Sequence, residues 1–205
     1  MISYIETALK TVFATDMVLF KIINMHHTNF FDLFFLSVSN FGNVWIVVPL
    51  LSVFILRRVP KSKRKRILLI VAVILSLSII FNLAIKQIVG RPRPPAYFVS
   101  QDTNVTADAG RLYKVHIVGE EYHDYSFPSG HTNMAFAAAT LAVIIFGIKF
   151  WPAFLVAIMV AFSRIYLGAH FPIDTLAGAC LGSAIAFASC TALPYLNTSK
   201  TLRKK

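Results

Sequence analysis

Residues 57–89 read RRVPKSKRKRILLIVAVILSLSIIFNLAIKQIV, and this stretch decides the class of fold. Seven basic residues and no acid lie in Arg57 to Arg66. They lead directly into Ile67–Val89, an apolar run whose Asn82 and Lys86 are confined to its last turns. A helix needs roughly 20 apolar residues to cross a hydrocarbon core of about 30 Å, and this run is long enough. A basic cluster at the entrance to such a run is the positive-inside mark of a cytoplasmic loop facing anionic lipid heads. The chain therefore enters the bilayer at Ile67 from the cytoplasmic side, and Lys86 emerges on the other.

The pattern recurs. Thr132–Ile148, Trp151 to about Leu167 and Asp174 to about Tyr195 are three further spans. Phe31–Leu56 is long enough to cross once, with Asn40, Gly42 and Asn43 marking a break into a short helix and a span. Within residues 1–30, Asp16 and Lys21 leave Thr11–Asn24 as either a first span or an interfacial amphipathic helix. The expected fold is all-α: a polytopic membrane helical bundle of about six transmembrane helices, both termini cytoplasmic, forming a single membrane-embedded domain over 1–205. Five spans plus an interfacial helix is the runner-up. The start is no cleavable signal peptide, because it lacks a basic opening and Glu6, Lys10, Asp16 and Lys21 interrupt any apolar core.

Composition excludes two other classes. With 57% apolar residues and 14% charged, too little polar surface remains for a soluble α domain. The net charge of +11 is concentrated in the Arg57 to Arg66 loop, in the tail KTLRKK and at Lys149 in a short turn. That distribution is a topology signal and argues against nucleic acid as a partner. Cys180 and Cys190 would be separated by about 15 Å along one helix, too far for a disulfide, and read as packing residues.

From Gly90 to Pro128 the character changes. RPRPP is expected to be non-helical, since proline lacks the donor and restricts its predecessor, and DTNVTADAG is rich in turn formers. Five basic and five acidic residues between Lys86 and His131 suit an extracytoplasmic loop, over about 90–130, that carries part of the site. Counting spans then brings three polar clusters to one membrane face: Lys86 to Pro94, Pro128 to His131, and Ser163 to Asp174.

Each cluster has its own chemistry. Lys86, Arg91 and Arg93 form an anion site, with the arginines on a proline-stiffened segment suited to bidentate oxyanion binding. Pro128, Ser129 and Gly130 lead into a helix whose first N–H groups and positive dipole end favour an anion, and Gly130 admits a phosphate close to the backbone. Arg164 lies in an apolar run where an unpaired charge costs several kcal/mol, so an anionic partner is expected. Pro172 stops a helix from running through His170 and Asp174, leaving His170 in a turn and Asp174 in the first turn of the last span. There a carboxylate can fix the imidazole tautomer and leave the other nitrogen as a nucleophile or base. Fixed cations, an in-line nucleophile and an acid for the leaving oxygen are what phosphoryl transfer requires. A zinc site of His131, His170 and Asp174 is the rival reading, weakened by the surrounding cations.

The spacing resembles the tripartite signature of the phosphatidic acid phosphatase type 2 superfamily: K-x6-R-P at Lys86, Arg93 and Pro94; PSGH at Pro128 to His131; S-R-x5-H-x3-D at Ser163, Arg164, His170 and Asp174. The resemblance implies that His170 attacks phosphorus to form a phosphohistidine and that Asp174 orients it. His131 would protonate the leaving oxygen and then activate water. Lys86, Arg93 and Arg164 would hold the phosphoryl oxygens, with Ser129 and the Gly130 backbone. No metal or cofactor is implied. Arg91 falls outside the family spacing and is expected to support the site from behind or to meet a substrate head group.

The superfamily also contains soluble haloperoxidases and acid phosphatases, which the apolar spans argue against. The implied protein is a multi-pass enzyme of a bacterial inner membrane, its site on the extracytoplasmic side and its substrate a lipid phosphate in the bilayer. Undecaprenyl diphosphate is the first choice of substrate, on the compact size of the chain. Phosphatidylglycerophosphate, phosphatidic acid and lipid A phosphates are the alternatives. A non-catalytic anion or lipid-phosphate transporter is the competing class. It is disfavoured because the polar residues gather near one face, whereas transport sites lie near the midplane. Glu120, Glu121, His123 and Asp124 read as a solvated outer loop with a lesser possibility of divalent-ion binding, and His26 and His27 carry no assignment.

Overall fold

A computed structural model describes residues 2–102, 114–119 and 124–192. Among these residues the structure is helical, without a strand. The order is α1 (Ile2–Met25), α2 (Asn29–Ser39), α3 (Val44–Arg58), α4 (Lys61–Val89), α5 (Pro94–Asp102), α6 (Gly130–Phe146), α7 (Ala153–Tyr166) and α8 (Pro172–Ala192).

Among the described residues three helices are long and apolar enough to cross a membrane, or four if α2 and α3 count as one bent span. The bend is 62° and falls where Asn40, Gly42 and Asn43 suggested a break: Asn40–Gly42 tightens into a 3-10 turn. Asn43 then restarts the helix, its side chain accepting the N–H of Trp45 at 3.0 Å. α4 stops at Gly90, whose φ of 62° is the left-handed cap that glycine takes without penalty.

The bundle exposes many large apolar side chains that a soluble protein would bury. Val12, Phe13, Trp45, Leu69, Ile80, Leu176 and Phe187 point outward, as residues facing lipid do. The interior includes Asn82, Lys86, Asn133, Arg164 and Asp174. On α1 the inward stripe is Asp16, Phe20 and Asn24, one residue per turn along a single face.

The lipid tails around such a bundle are as apolar as leucine, so helix association depends on close packing and internal hydrogen bonds. α6 and α8 make the most extensive contact. Gly178 and Gly182 allow it, since a Cβ on either would stand 2.5 Å from Ser129 O or 2.1 Å from Asn133 O. Ser78 on α4 donates to Asn133 Oδ1 at 3.0 Å, and Asn133 Nδ2 donates back to the Ser78 carbonyl at 3.2 Å. An apolar cluster of α3, α4, α6 and α8 residues, including Ile55, Ile74, Leu141 and Ala186, fills the rest of this half.

One expectation fails. The RPRPP stretch is non-helical only through Arg93, because Pro94 and Pro95 open α5. Prolines are tolerated there because first-turn N–H groups have no intrahelical acceptor in any case, and their fixed φ is already helical.

Candidate active site

The site begins where α4 ends. Lys86 projects from the last turn of α4, and Arg93 follows on the short link before α5; both are buried. The two cations converge on one carboxylate. Lys86 Nζ donates to Asp124 Oδ2 at 2.5 Å, Arg93 Nε donates to Asp124 Oδ1 at 2.9 Å, and Arg93 Nη2 also reaches Oδ1. Ser126 fixes the approach of this segment, donating its N–H to Arg91 O at 2.8 Å and its hydroxyl to Pro92 O at 3.1 Å. Partial burial pushes the Asp124 carboxyl up, but the hydrogen bond from Lys86 and the charge of Arg93 outweigh it and hold the group below its usual value. Asp124 was grouped with a solvated loop on sequence grounds. Glu120, Glu121 and His123 lie outside the described residues.

The stretch SRIYLGAHFPID forms the opposite wall. α7 ends at Tyr166, and Gly168 adopts a φ of 75°. A side chain at Gly168 would meet the His116 carbonyl at 2.5 Å. The chain then doubles back, the N–H groups of Ala169 and His170 each reaching Arg164 O at 3.1 Å. Pro172 starts α8, so His170 sits in the turn and Asp174 in the first turn of the helix.

His170 is buried between two different neighbours. Arg93 Nη1 lies 3.3 Å from His170 Nε2 and also donates to Ala169 O at 2.9 Å. A guanidinium can only donate, so Nε2 is the acceptor and the ring proton belongs on Nδ1. Nδ1 lies 3.7 Å from Asp174 Oδ2, longer than a hydrogen bond, and has no closer acceptor. The expected pairing of His170 with Asp174 is therefore present as an approach and not as a closed bond.

Arg164 was expected to face an anion. Its Nη1 donates to Ser39 Oγ at 2.6 Å, so the end of α2 orients the guanidinium. Its backbone carbonyl, which accepts the His170 N–H, ties the same residue to the turn that carries His170.

His131 occupies the first turn of α6, behind Ser129 and Gly130. Ser129 is the N-cap by position, but its side chain caps nothing and instead accepts from Thr132 Oγ1 at 3.0 Å. Ser129 N–H donates to Asp174 O at 2.9 Å, which ties the start of α6 to the start of α8. Gly42 packs so closely that a Cβ there would stand 2.8 Å from His131 Cβ. A cleft of about 270 Å³, lined by Lys86, His131, Asn82, Ile79, Leu83 and Met134 among others, opens beside these residues. The structure thus draws together Lys86, Arg93, Ser129, Gly130, His131, Arg164, His170 and Asp174.

Two further residues join them: Arg91, expected to support the site from behind, and Asp16, which sequence reasoning left aside. Arg91 Nη1 donates to Asp174 Oδ1 at 2.6 Å, and its Nη2 donates to Asp16 Oδ2 at 2.6 Å. Asp16 was read only as an interruption of an apolar run. Its signal was the same as that of Arg164, a charge whose burial requires a partner.

A separate polar cluster lies across the top of α1, α2 and α7. His116 Nε2 stands 3.1 Å from Asp32 Oδ1, Tyr166 Oη donates to the same oxygen at 2.8 Å, and His27 stacks on His116 at 3.7 Å. Asn24 secures the segment 114–119, its Nδ2 donating to His116 O at 2.8 Å and its Oδ1 accepting the His116 N–H at 2.9 Å. Among the described residues no group of three or more His, Cys, Asp or Glu side chains is arranged to hold a metal ion.

Several known proteins are similar to this chain in sequence or in fold. An undecaprenyl-diphosphatase of Sulfolobus acidocaldarius is 24% identical over 172 residues, covering 83% of this chain and 75% of its own length. A lipid A 4'-phosphatase of Bacteroides thetaiotaomicron is 30% identical over 176 residues, covering 82% of this chain and 71% of its own. The crystal structure of Aquifex aeolicus LpxE superposes with a TM-score of 0.67 at 27% identity, over 85% of this chain and 94% of that one. Residues 67–198 match the PAP2 superfamily profile, a region that contains Lys86, His131, His170 and Asp174, and the chain belongs to the PAP2 superfamily.

Proposed function

We propose that this chain is an integral-membrane lipid phosphatase that works through a phosphohistidine at His170, needs no metal, and acts on undecaprenyl diphosphate. The observation that carries the reading is the acceptor state of His170 Nε2, which faces Arg93 at 3.3 Å inside a ring of cations. A lone pair held beside anion-binding groups is what attack on a phosphoryl group needs.

The steps follow from the residues. The terminal phosphoryl group of the lipid takes the position now held by the Asp124 carboxylate, with Lys86 and Arg93 on its oxygens and Arg164, the Ser129 hydroxyl and the Gly130 backbone completing the cradle. His170 Nε2 forms a bond to phosphorus as the bond to the leaving oxygen breaks. His131 gives that oxygen its proton, so a lipid monophosphate departs from a diphosphate, or an alcohol from a monophosphate. Developing positive charge on the imidazole is met by Asp174. Water then attacks phosphorus, His131 takes its proton, the N–P bond breaks, and inorganic phosphate and neutral His170 are restored.

A six-span bundle with the site on the extracytoplasmic face fits this reading, since the basic loop before α4 and the site lie at opposite ends of that helix. The lipid head would enter beside His131 while its chain stays in the bilayer. The Bacteroides relative at 30% identity favours a second substrate, a lipid A phosphate. The test is purified protein in detergent, with excess EDTA, offered undecaprenyl diphosphate, phosphatidylglycerophosphate, phosphatidic acid and a lipid A phosphate. Phosphate release with the highest kcat/KM on undecaprenyl diphosphate, abolished in His170→Ala, is expected. Full activity in His170→Ala overturns the nucleophile, and preference for lipid A overturns the substrate.

A further inference from the structure

Asp16 on α1 and Arg91 on the α4–α5 link form a buried bridge to the carboxylate behind the histidine. Asp16 Oδ2 accepts from Arg91 Nη2 at 2.6 Å, and Arg91 Nη1 donates to Asp174 Oδ1 at 2.6 Å. The side chains of Asp16, Arg91 and Asp174 are 3%, 11% and 0% exposed. Both ends are fixed again by backbone: Asp16 Oδ1 accepts the Ile173 N–H at 2.8 Å, and Asp174 Oδ2 accepts the Phe171 N–H at 2.9 Å. The guanidinium lies 4.2 Å from the centroid of the Phe171 ring. That ring packs against Phe20 of α1 and Phe98 of α5.

The charge count gives the bridge a purpose. Arg91 paired with Asp174 alone would be neutral, and little negative charge would remain to meet an imidazolium. With Asp16 on its other edge, two carboxylates share one guanidinium and the unit stays anionic overall. The Asp174 oxygen that is not bound to Arg91 is the one 3.7 Å from His170 Nδ1.

We infer that Asp16 and Arg91 are positioning residues for the phosphoryl-transfer step: they aim Asp174 at His170 and keep the assembly negatively charged as the histidine becomes cationic. Asp16 lies on a helix outside the region that matches the family, residues 67–198, and Arg91 occupies one of the six unspecified positions of K-x6-R-P. α1 thereby becomes part of the reaction centre. The inference rests on the proposed phosphohistidine reading.

The experiment uses the full chain in detergent with the best lipid substrate, corrected for folded protein by size-exclusion chromatography. Arg91→Gln and Asp16→Asn are each expected to lower kcat by about 10- to 100-fold with KM little changed, by analogy with the scale found for outer partners that orient metal-ligating side chains. Arg91→Lys is expected to be intermediate, because an ammonium restores the charge without the two-edged geometry. The deciding variant is the double Asp16→Asn/Arg91→Gln. Without Arg91 the two carboxylates repel, so removing the Asp16 charge should partly restore kcat, although the same change is harmful in the wild type. Wild-type kcat in Asp16→Asn, or a double variant worse than Arg91→Gln, overturns the inference. Absence of phosphate release by the wild type, or full activity in His170→Ala, overturns the underlying reading instead.

Discussion

His170 Nδ1 and Asp174 Oδ2 stand 3.7 Å apart, while the same carboxylate is already bonded to Arg91 and to the Phe171 N–H. The carboxylate is thus held by other groups and presented to the imidazole across a gap that, on the proposed mechanism, would close as the ring becomes charged. Charge-assisted bonds are shorter and stronger than neutral ones, so on that mechanism the contact would strengthen in the transition state. Asp174→Asn keeps the shape and removes the charge. We expect kcat to fall by about 10³- to 10⁴-fold, the loss found when an orienting carboxylate behind a catalytic histidine becomes an amide. A loss under tenfold in steady-state assays would contradict this role.

Asp124 occupies the two cations that a phosphoryl group would need. On the proposed reading it would compete with substrate, and Asp124→Asn is expected to lower KM about two- to fivefold, the scale of part-exposed ion pairs, with kcat kept. The pH dependence has a definite sign. Asp124 is held below its ordinary value of 3.8, so the loop contact is present above that value and is lost as pH falls through the lower folded value. Hydrogen exchange of residues 124–126 should therefore be protected throughout the neutral range and should open only in strong acid. Opening near pH 6 would rule out the carboxylate as the tether.

Gly178 and Gly182 determine how closely the helix bearing Asp174 approaches the helix bearing His131. A Cβ at Gly182 would lie 2.1 Å from Asn133 O and 3.0 Å from Ala137 N, which are backbone atoms that cannot swing aside. Gly182→Val is expected to cost about 1–3 kcal/mol or more by overpacking. It should also disturb Asn133 and its bonds to Ser78. A thermal melt in detergent reads the first effect and kcat the second. An unchanged melting temperature would mean that the two helices do not pack this closely.

What could be read from the sequence, and what could not, divides on physical lines. Helix positions came from unbroken apolar runs, and the break near Asn40 to Asn43 came from residues that prefer turns. His170 and Asp174 were separable because Pro172 forbids a continuous helix. Asp124 and Ser39 were missed because their roles depend on where a loop and a helix end fall in space. Asp16 was noticed but misread: its partner Arg91 lies 75 positions away, and no local pattern joins them. α5 was missed because a rule that holds in helix interiors was applied to a first turn.

Arg164 offers the last test. Its Nη1 is held by Ser39 Oγ at 2.6 Å, so the rotation of a planar guanidinium is set by a hydroxyl on α2. A hydrogen bond to a charged group contributes about 1.5–3 kcal/mol, and part of that is recovered when substrate itself orders the arginine. Ser39→Ala is therefore expected to raise KM by no more than about tenfold with kcat little changed. Arg164→Lys should be more severe in both constants, since a single ammonium cannot grip Ser39 and present a flat edge to phosphoryl oxygens together. Equal losses in the two variants would mean that Arg164 acts only as a structural anchor between α7 and α2. A larger loss in the lysine variant, concentrated in kcat/KM, would mark it as a substrate-binding cation.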